Sequence, residues 1–328
     1  MSLLTDFLLK KNFLTILEAL CIGAVNCFMI VSGYFLFTNE KIKFAKVFDL
    51  LIIVVFYRLF DFICTIIFLH EEFTLHSLIS CFLPANYFAI FYVICYMLSP
   101  FIAKVFREIS NRTATILISL LLVIFILIPT FLDIAEDMNL LRYPETLSPI
   151  SSKGNCGGYS IVQFLVMLSL GMWIRKIDFN PSTWKLLLVY LLSSLAIFIC
   201  QKKISAYGYD FIFNVTSAAS LFLLFKKLTI QNKAINFASK SCFAIFCLHT
   251  GVFANTIWKK YFITSEHIQN GLGLCILWTF VSVAFMFVIC LLISFTMRGL
   301  FSKIKDLALK RLPVLSIEDK NPDTEVQN

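Results

Sequence analysis

The sequence predicts an all-α protein, a polytopic bundle of about nine transmembrane helices, and three observations carry that prediction. Of its 328 residues, 59% are apolar, 16% aromatic and only 15% charged, whereas a water-soluble domain is nearer half apolar and a quarter charged. Apolar runs of roughly 20 residues, the length that crosses a hydrocarbon layer, recur along the chain. Lys and Arg fall in short clusters between those runs instead of on one face, so the net charge of +8 does not describe a nucleic-acid partner. The same composition excludes disorder, which needs low hydrophobicity and high charge density.

The expected spans are 13–37, 48–69, 87–106, 114–132, 158–174, 184–200, 211–225, 242–258 and 271–297. Pro84, Pro100 and Pro129 stand near expected ends, where a missing N–H interrupts a helix most cheaply. Together these spans define a transmembrane domain over 1–312, followed by a polar tail over 313–328 that holds Glu318, Asp319, Lys320, Asp323 and Glu325 and is expected to be disordered.

Orientation follows from the connections. One alternating set carries Lys41, Lys43, Lys46; Lys104, Arg107, Arg112; Arg175, Lys176; Lys226, Lys227, Lys233, Lys240; and Arg298, Lys303, Lys305, Lys310, Arg311. The other carries Lys10, Lys11, Arg142, Lys153, Lys202, Lys203, Lys259 and Lys260. Because cations are retained in the cytoplasm, the bias places the C-terminus there and, with nine crossings, the N-terminus outside. No small-residue cleavage site follows the first 20 residues, so the orientation fits a core that has lost one preceding helix.

The 11 cysteines form no C-x-x-C pair and lie almost entirely in apolar runs, so they are expected to be packing residues, with neither a disulfide framework nor a metal. Gly154, Asn155, Cys156, Gly157 and Gly158 lack the Lys and Ser/Thr of a phosphate loop.

Polar residues inside the spans are the informative ones, because each costs a few kcal/mol in hydrocarbon unless it faces a cavity or a partner. Arg58 and Asp61 share a helical face in the second span. They form either an ion pair that only orients helices, or a cavity wall in which Arg58 meets an anionic group and Asp61 holds it. His249, halfway along the eighth span, is either a core hydrogen-bonding residue or one suited to proton transfer and carbonyl polarisation. Glu18 sits near an interface, and His70, Glu71, Glu72 and His76 are expected to be solvated loop residues. Asn26, Ser32, Gly33 and Tyr34 interrupt the first span, where small residues allow close helix approach. Lys41, Lys43 and Lys46 follow at once and are either ordinary positive-inside charge or a phosphate-binding cluster.

The run Asn26-Cys27-Phe28-Met29-Ile30-Val31-Ser32-Gly33-Tyr34-Phe35-Leu36 resembles the Phe-rich "SGY" helix of the acyltransferase 3 family, polytopic enzymes that modify bacterial surface glycans. Tyr87 to Pro100 is similar to that family's aromatic helix, Gly158 to Lys176 to its "GYxxR" helix end, and Ser239 to His249 to its Ser-Lys-x-Ser-Phe-Gly-Ile-Tyr-Leu-x-His segment, with Phe246 in place of Tyr. Asp49 departs from the family, which often places Arg there, and the family's first helix, with an Arg and then the proposed base His, has no counterpart among the matched motifs. The catalytic role is therefore carried over to no residue.

The resemblance implies acyl transfer, acetyl being the family's usual group, from acyl-CoA as co-substrate to a hydroxyl of a surface polysaccharide or lipid-linked glycan. It implies no tightly bound cofactor, a location in the cytoplasmic membrane, and the lipid bilayer and glycan acceptor as partners, with envelope-assembly proteins beside them. Asn26, Ser32, Gly33, Tyr34, Arg58 and His249 are the expected substrate-binding residues, and Lys41, Lys43 and Lys46 the expected donor-phosphate residues. A catalytically inactive truncated homologue or scaffold in envelope glycan assembly is one alternative, and a glycan or lipid transporter, without the inverted repeat such proteins carry, is the other.

Overall fold

A computed structural model describes residues 3–82, 86–140, 142, 156–262, 271–309 and 314–316. Lys153, Gly154, Asn155, Lys310, Arg311 and residues 317–328 of the polar tail lie outside the described residues. The chain is helical almost throughout: α1 (Leu3–Cys21), α2 (Ala24–Leu36), α3 (Phe44–Leu69), α4 (Leu75–Phe82), α5 (Tyr87–Glu108), α6 (Asn111–Leu122), α7 (Ile128–Asp137), α8 (Ile161–Ile177), α9 (Thr183–Cys200), α10 (Ile212–Lys226), α11 (Lys233–Ser239), α12 (Cys242–His249), α13 (Val252–Tyr261) and α14 (Leu272–Leu309). Strand β1 (Lys41–Lys43) pairs antiparallel with β2 (Val314–Ser316), Lys41 opposite Ser316 and Lys43 opposite Val314. Among the described residues, six helical stretches are long and apolar enough to cross a membrane, and Ile212–Lys226 is a shorter apolar helix.

Seven of the nine expected spans are single continuous helical stretches close to their expected positions. Two are not. The first is broken between Cys21 and Ala24 and begins earlier than expected. Lys10, read from sequence as a connection charge, is buried inside α1 and pairs with Asp6 one turn away. The eighth span is broken at Thr250–Gly251, where Gly251 has extended backbone (φ −67°, ψ 160°).

Pro84 lies outside the described residues, and Pro100 and Pro129 end no helix. Pro100 lies inside α5; the carbonyl four residues back, Tyr96 O, is hydrogen-bonded instead by Ser99 Oγ at 2.8 Å. Ahead of Pro129, residues Val123–Leu127 form a π-helical turn that carries α6 into α7 without a break.

The described chain divides into two compact units, the first made of Met1–Glu18, Lys46–Ile90 and Thr229–Leu312, the second of Ala19–Ala45, Phe91–Leu228 and Pro313–Asn328. In the first, Tyr57, Ile245, Leu248 and Cys290 form a core between α3, α12 and α14, and Phe13 meets Phe280 edge to face. In the second, α2 packs on both α8 and α10. That packing is set by glycine. A Cβ on Gly33 would lie 1.9 Å from the Leu168 carbonyl oxygen, and one on Gly171 2.1 Å from that of Ile30. Reciprocal glycines let the two backbones touch, the device membrane helices use where hydrophobic association is weak.

Candidate functional site

In the first unit, α3, α4 and the α12–α13 break enclose a cavity of about 740 Å³. Its wall includes Arg58, Asp61, Thr65, Glu71, Glu72, Ser77, Ser80, Asn86, Tyr87, Cys247 and Thr250. Arg58 and Asp61 thus share a face, as their spacing requires, but they do not pair. Asp61 Oδ2 accepts the Val252 N–H at 2.9 Å and Oδ1 the Phe253 N–H at 3.0 Å. A carboxylate from α3 therefore caps the N-terminus of α13, satisfying donors that the break would leave open and meeting the positive end of the helix dipole. Gly251 is required by this contact, since a Cβ there would lie 2.2 Å from Asp61 Oδ1. Arg58 is part of the cavity wall, and Asp61 is hydrogen-bonded to the start of α13. None of the ion pairs among the described residues involves Arg58.

His249 ends α12 and faces elsewhere. Its Nδ1 donates to the Ile245 carbonyl at 2.9 Å, which engages that ring nitrogen within α12. The ring is exposed and lines a second cavity of about 600 Å³ with Ile245, Thr250, Asn255, Trp258, Met286 and Phe287. Thr250 borders both cavities.

The motif of α2 belongs to the second unit, and most of it is committed to packing. Asn26 Nδ2 donates to the Tyr209 carbonyl at 2.7 Å, and Gln163 Nε2 donates both to Asn26 Oδ1 at 3.1 Å and to Tyr209 O at 2.8 Å. This buried node fixes the register of α2 against α8 and the segment before α10. Ser32 Oγ donates to Phe28 O at 2.9 Å, and Gly33 is the close-approach residue already described. Tyr34 differs: it lies at the C-terminal ends of α2, α8 and α10, where Arg175 Nη1 donates to its hydroxyl at 2.8 Å and the Arg175 and Lys226 cations lie 4.9 and 5.3 Å from its ring centre. Lys226 also pairs with Asp178 at 3.1 Å. Three helix C-termini, each partially negative, meet there and draw cations to the same end.

Lys41 and Lys43 are exposed on one face of β1 around buried Ile42, and the Lys43 N–H donates to Tyr96 Oη at 3.2 Å. Lys46 is exposed in the first turn of α3. Among the described residues no group of three or more His, Cys, Asp or Glu is placed to hold a metal.

The sequence singles out Arg58, His249 and Tyr34 as polar residues within apolar spans but not what surrounds them. Ser77, Ser80, Asn86 and Tyr87 come to Arg58 from α4 and the start of α5, and Arg175 and Lys226 come to Tyr34 from α8 and α10. The Thr250-Gly251 pair inside an apolar run was the one local signal of the break.

A helical chain with several membrane-length apolar stretches and cationic or hydrogen-bonding residues facing cavities is a polytopic membrane protein. The family model described as an acyltransferase domain, Acyl_transf_3, matches residues 4–297, and the chain belongs to that family; it is a membrane acyltransferase. The match begins ahead of Asn26, where the motif resemblance starts, and includes nearly all of α1, which contains neither Arg nor His. No curated protein and no solved structure matches the chain.

Proposed function

We propose that the protein transfers an acyl group, acetyl in the first instance, from acyl-CoA to a hydroxyl of a surface polysaccharide or lipid-linked glycan. The observation that carries this reading is the α3 cavity: a chain of an acyltransferase family holds a guanidinium with no ion-pair partner among the described residues, hydroxyls and an amide around a space large enough for a saccharide. Lys41 and Lys43, about 7 Å apart as next-but-one strand residues, are exposed and suited to the diphosphate of the donor. His249 lines its own cavity, and its role is to orient or receive a polar substrate group. The charge bias supports a cytoplasmic-membrane location with the C-terminus and the donor on the cytoplasmic side.

The test is transfer of radiolabel from [14C]acetyl-CoA to glycan in membranes containing the full chain. Label appearing in the glycan, with a large loss in His249→Ala and Arg58→Ala, is expected. Absence of transfer from acetyl-, propionyl- and succinyl-CoA alike would remove the enzymatic reading and favour the scaffold. Donor-independent movement of labelled glycan across proteoliposomes would favour the transporter.

A further inference from the structure

We infer that the α3 cavity is the acceptor site and that Arg58 selects an acceptor carrying one anionic group, a sugar carboxylate or the phosphate of a lipid-linked saccharide; this rests on the acyltransferase reading above. Arg58 lies 11 residues from the end of α3 at Leu69, about 16 Å along the axis, well inside an apolar span. Asp61, one turn on, has both carboxylate oxygens occupied by the N–H groups of Val252 and Phe253. Arg58 lines the cavity with its forked guanidinium and has no ion-pair partner within 4 Å among the described residues. A cation so placed is stabilised when an anion enters beside it, and a planar carboxylate or a phosphate matches its fork.

The remaining wall decides between donor and acceptor. Glu71 and Glu72 line the cavity from the segment after α3 and are exposed. They repel a ligand with several negative charges, which acyl-CoA is, yet as solvated acceptors they suit sugar hydroxyls. Ser80 and Asn86 add neutral hydrogen-bonding groups and Tyr87 an aromatic face. One cation from inside the α3 span, two exposed carboxylates just beyond the end of α3 and neutral polar groups in the same wall describe a site for a glycan with a single anionic group.

Binding to the full-length protein in nanodiscs is measured by calorimetry with three probes: a neutral glucose oligosaccharide, an oligosaccharide of equal length with a single glucuronate among its glucoses, and glucose linked to a polyprenyl diphosphate. At least one anionic probe is expected to bind about tenfold or more tighter than the neutral one. A uronate preference assigns a glycan carboxylate, and a preference confined to the diphosphate assigns the lipid carrier. Arg58→Gln should erase the difference and Arg58→Lys retain part of it. Glu71→Gln with Glu72→Gln, both at exposed positions, should tighten the anionic probes relative to the neutral one, so the inference stays testable if Arg58 variants fail to fold. Equal binding of all probes, binding of none, or a preference that survives Arg58→Gln overturns it. Acyl transfer is followed in parallel: transfer without anionic preference sinks the acceptor assignment alone, whereas absent transfer with intact preference sinks the acyltransferase chemistry alone.

Discussion

Removing the Asp61 carboxylate should free the start of α13 without the involvement of Arg58. Asp61 accepts two backbone hydrogen bonds, at 2.9 and 3.0 Å, from the first two residues of a helix whose break leaves those donors without carbonyl partners. Loss of a capping residue costs about 1 to 2 kcal/mol, and a charged acceptor serving two donors raises that to roughly 2 to 4 kcal/mol for Asp61→Ala. Asp61→Asn keeps one acceptor oxygen and should lose about half as much. If instead Asp61 and Arg58 stabilised each other as an ion pair, Arg58→Ala would cost as much as Asp61→Ala, and the double variant would recover part of the loss. Thermal unfolding of the detergent-solubilised chain, with hydrogen exchange at the Val252 and Phe253 amides, reads both quantities. Faster exchange at those two amides in Asp61→Ala and a coupling energy to Arg58 under about 0.5 kcal/mol are expected. Unchanged exchange, or a coupling above about 1.5 kcal/mol, would refute the cap and restore the ion pair.

Gly33→Ala would press a Cβ to 1.9 Å from the Leu168 carbonyl oxygen, against an ordinary contact of 3.4 Å or more, with only backbone to move. Helices α2 and α8 must separate, and a loss of at least about 3 kcal/mol in unfolding free energy is expected. Gln163→Leu removes two buried donations and strands Asn26 Oδ1, so the melting of the second unit should fall by the equivalent of about 2 kcal/mol. Tyr34→Phe deletes only the acceptor of the exposed Arg175 bond and should change stability by less than about 1 kcal/mol; a collapse of transfer rate at unchanged stability would show that the hydroxyl meets substrate instead. Lys41→Gln with Lys43→Gln should raise KM for acetyl-CoA several-fold at low salt and much less at high salt, as exposed charges are screened; a salt-independent change in kcat would contradict a phosphate-binding role.

Hydropathy by itself located the spans, because crossing lipid demands an uninterrupted apolar run wherever a helix passes. It also singled out Arg58, His249 and the α2 motif, since a polar group in hydrocarbon is conspicuous one residue at a time. Breaks were harder to see: Gly251 looks like any glycine until Asp61, 190 positions earlier in the chain, is found where its Cβ would be. Partner identity was out of reach for the same reason. The i, i+3 spacing of Arg58 and Asp61 permits an ion pair, yet a carboxylate goes to the donors that most need it, and those were on α13. Asn26, Ser32 and Gly33 read as a candidate site because of their chemistry, whereas contact with α8 turned two of them into a buried polar node and a close backbone approach. Composition and periodicity settle what the chain dissolves in; which polar atom answers which depends on helices brought together from distant parts of the sequence.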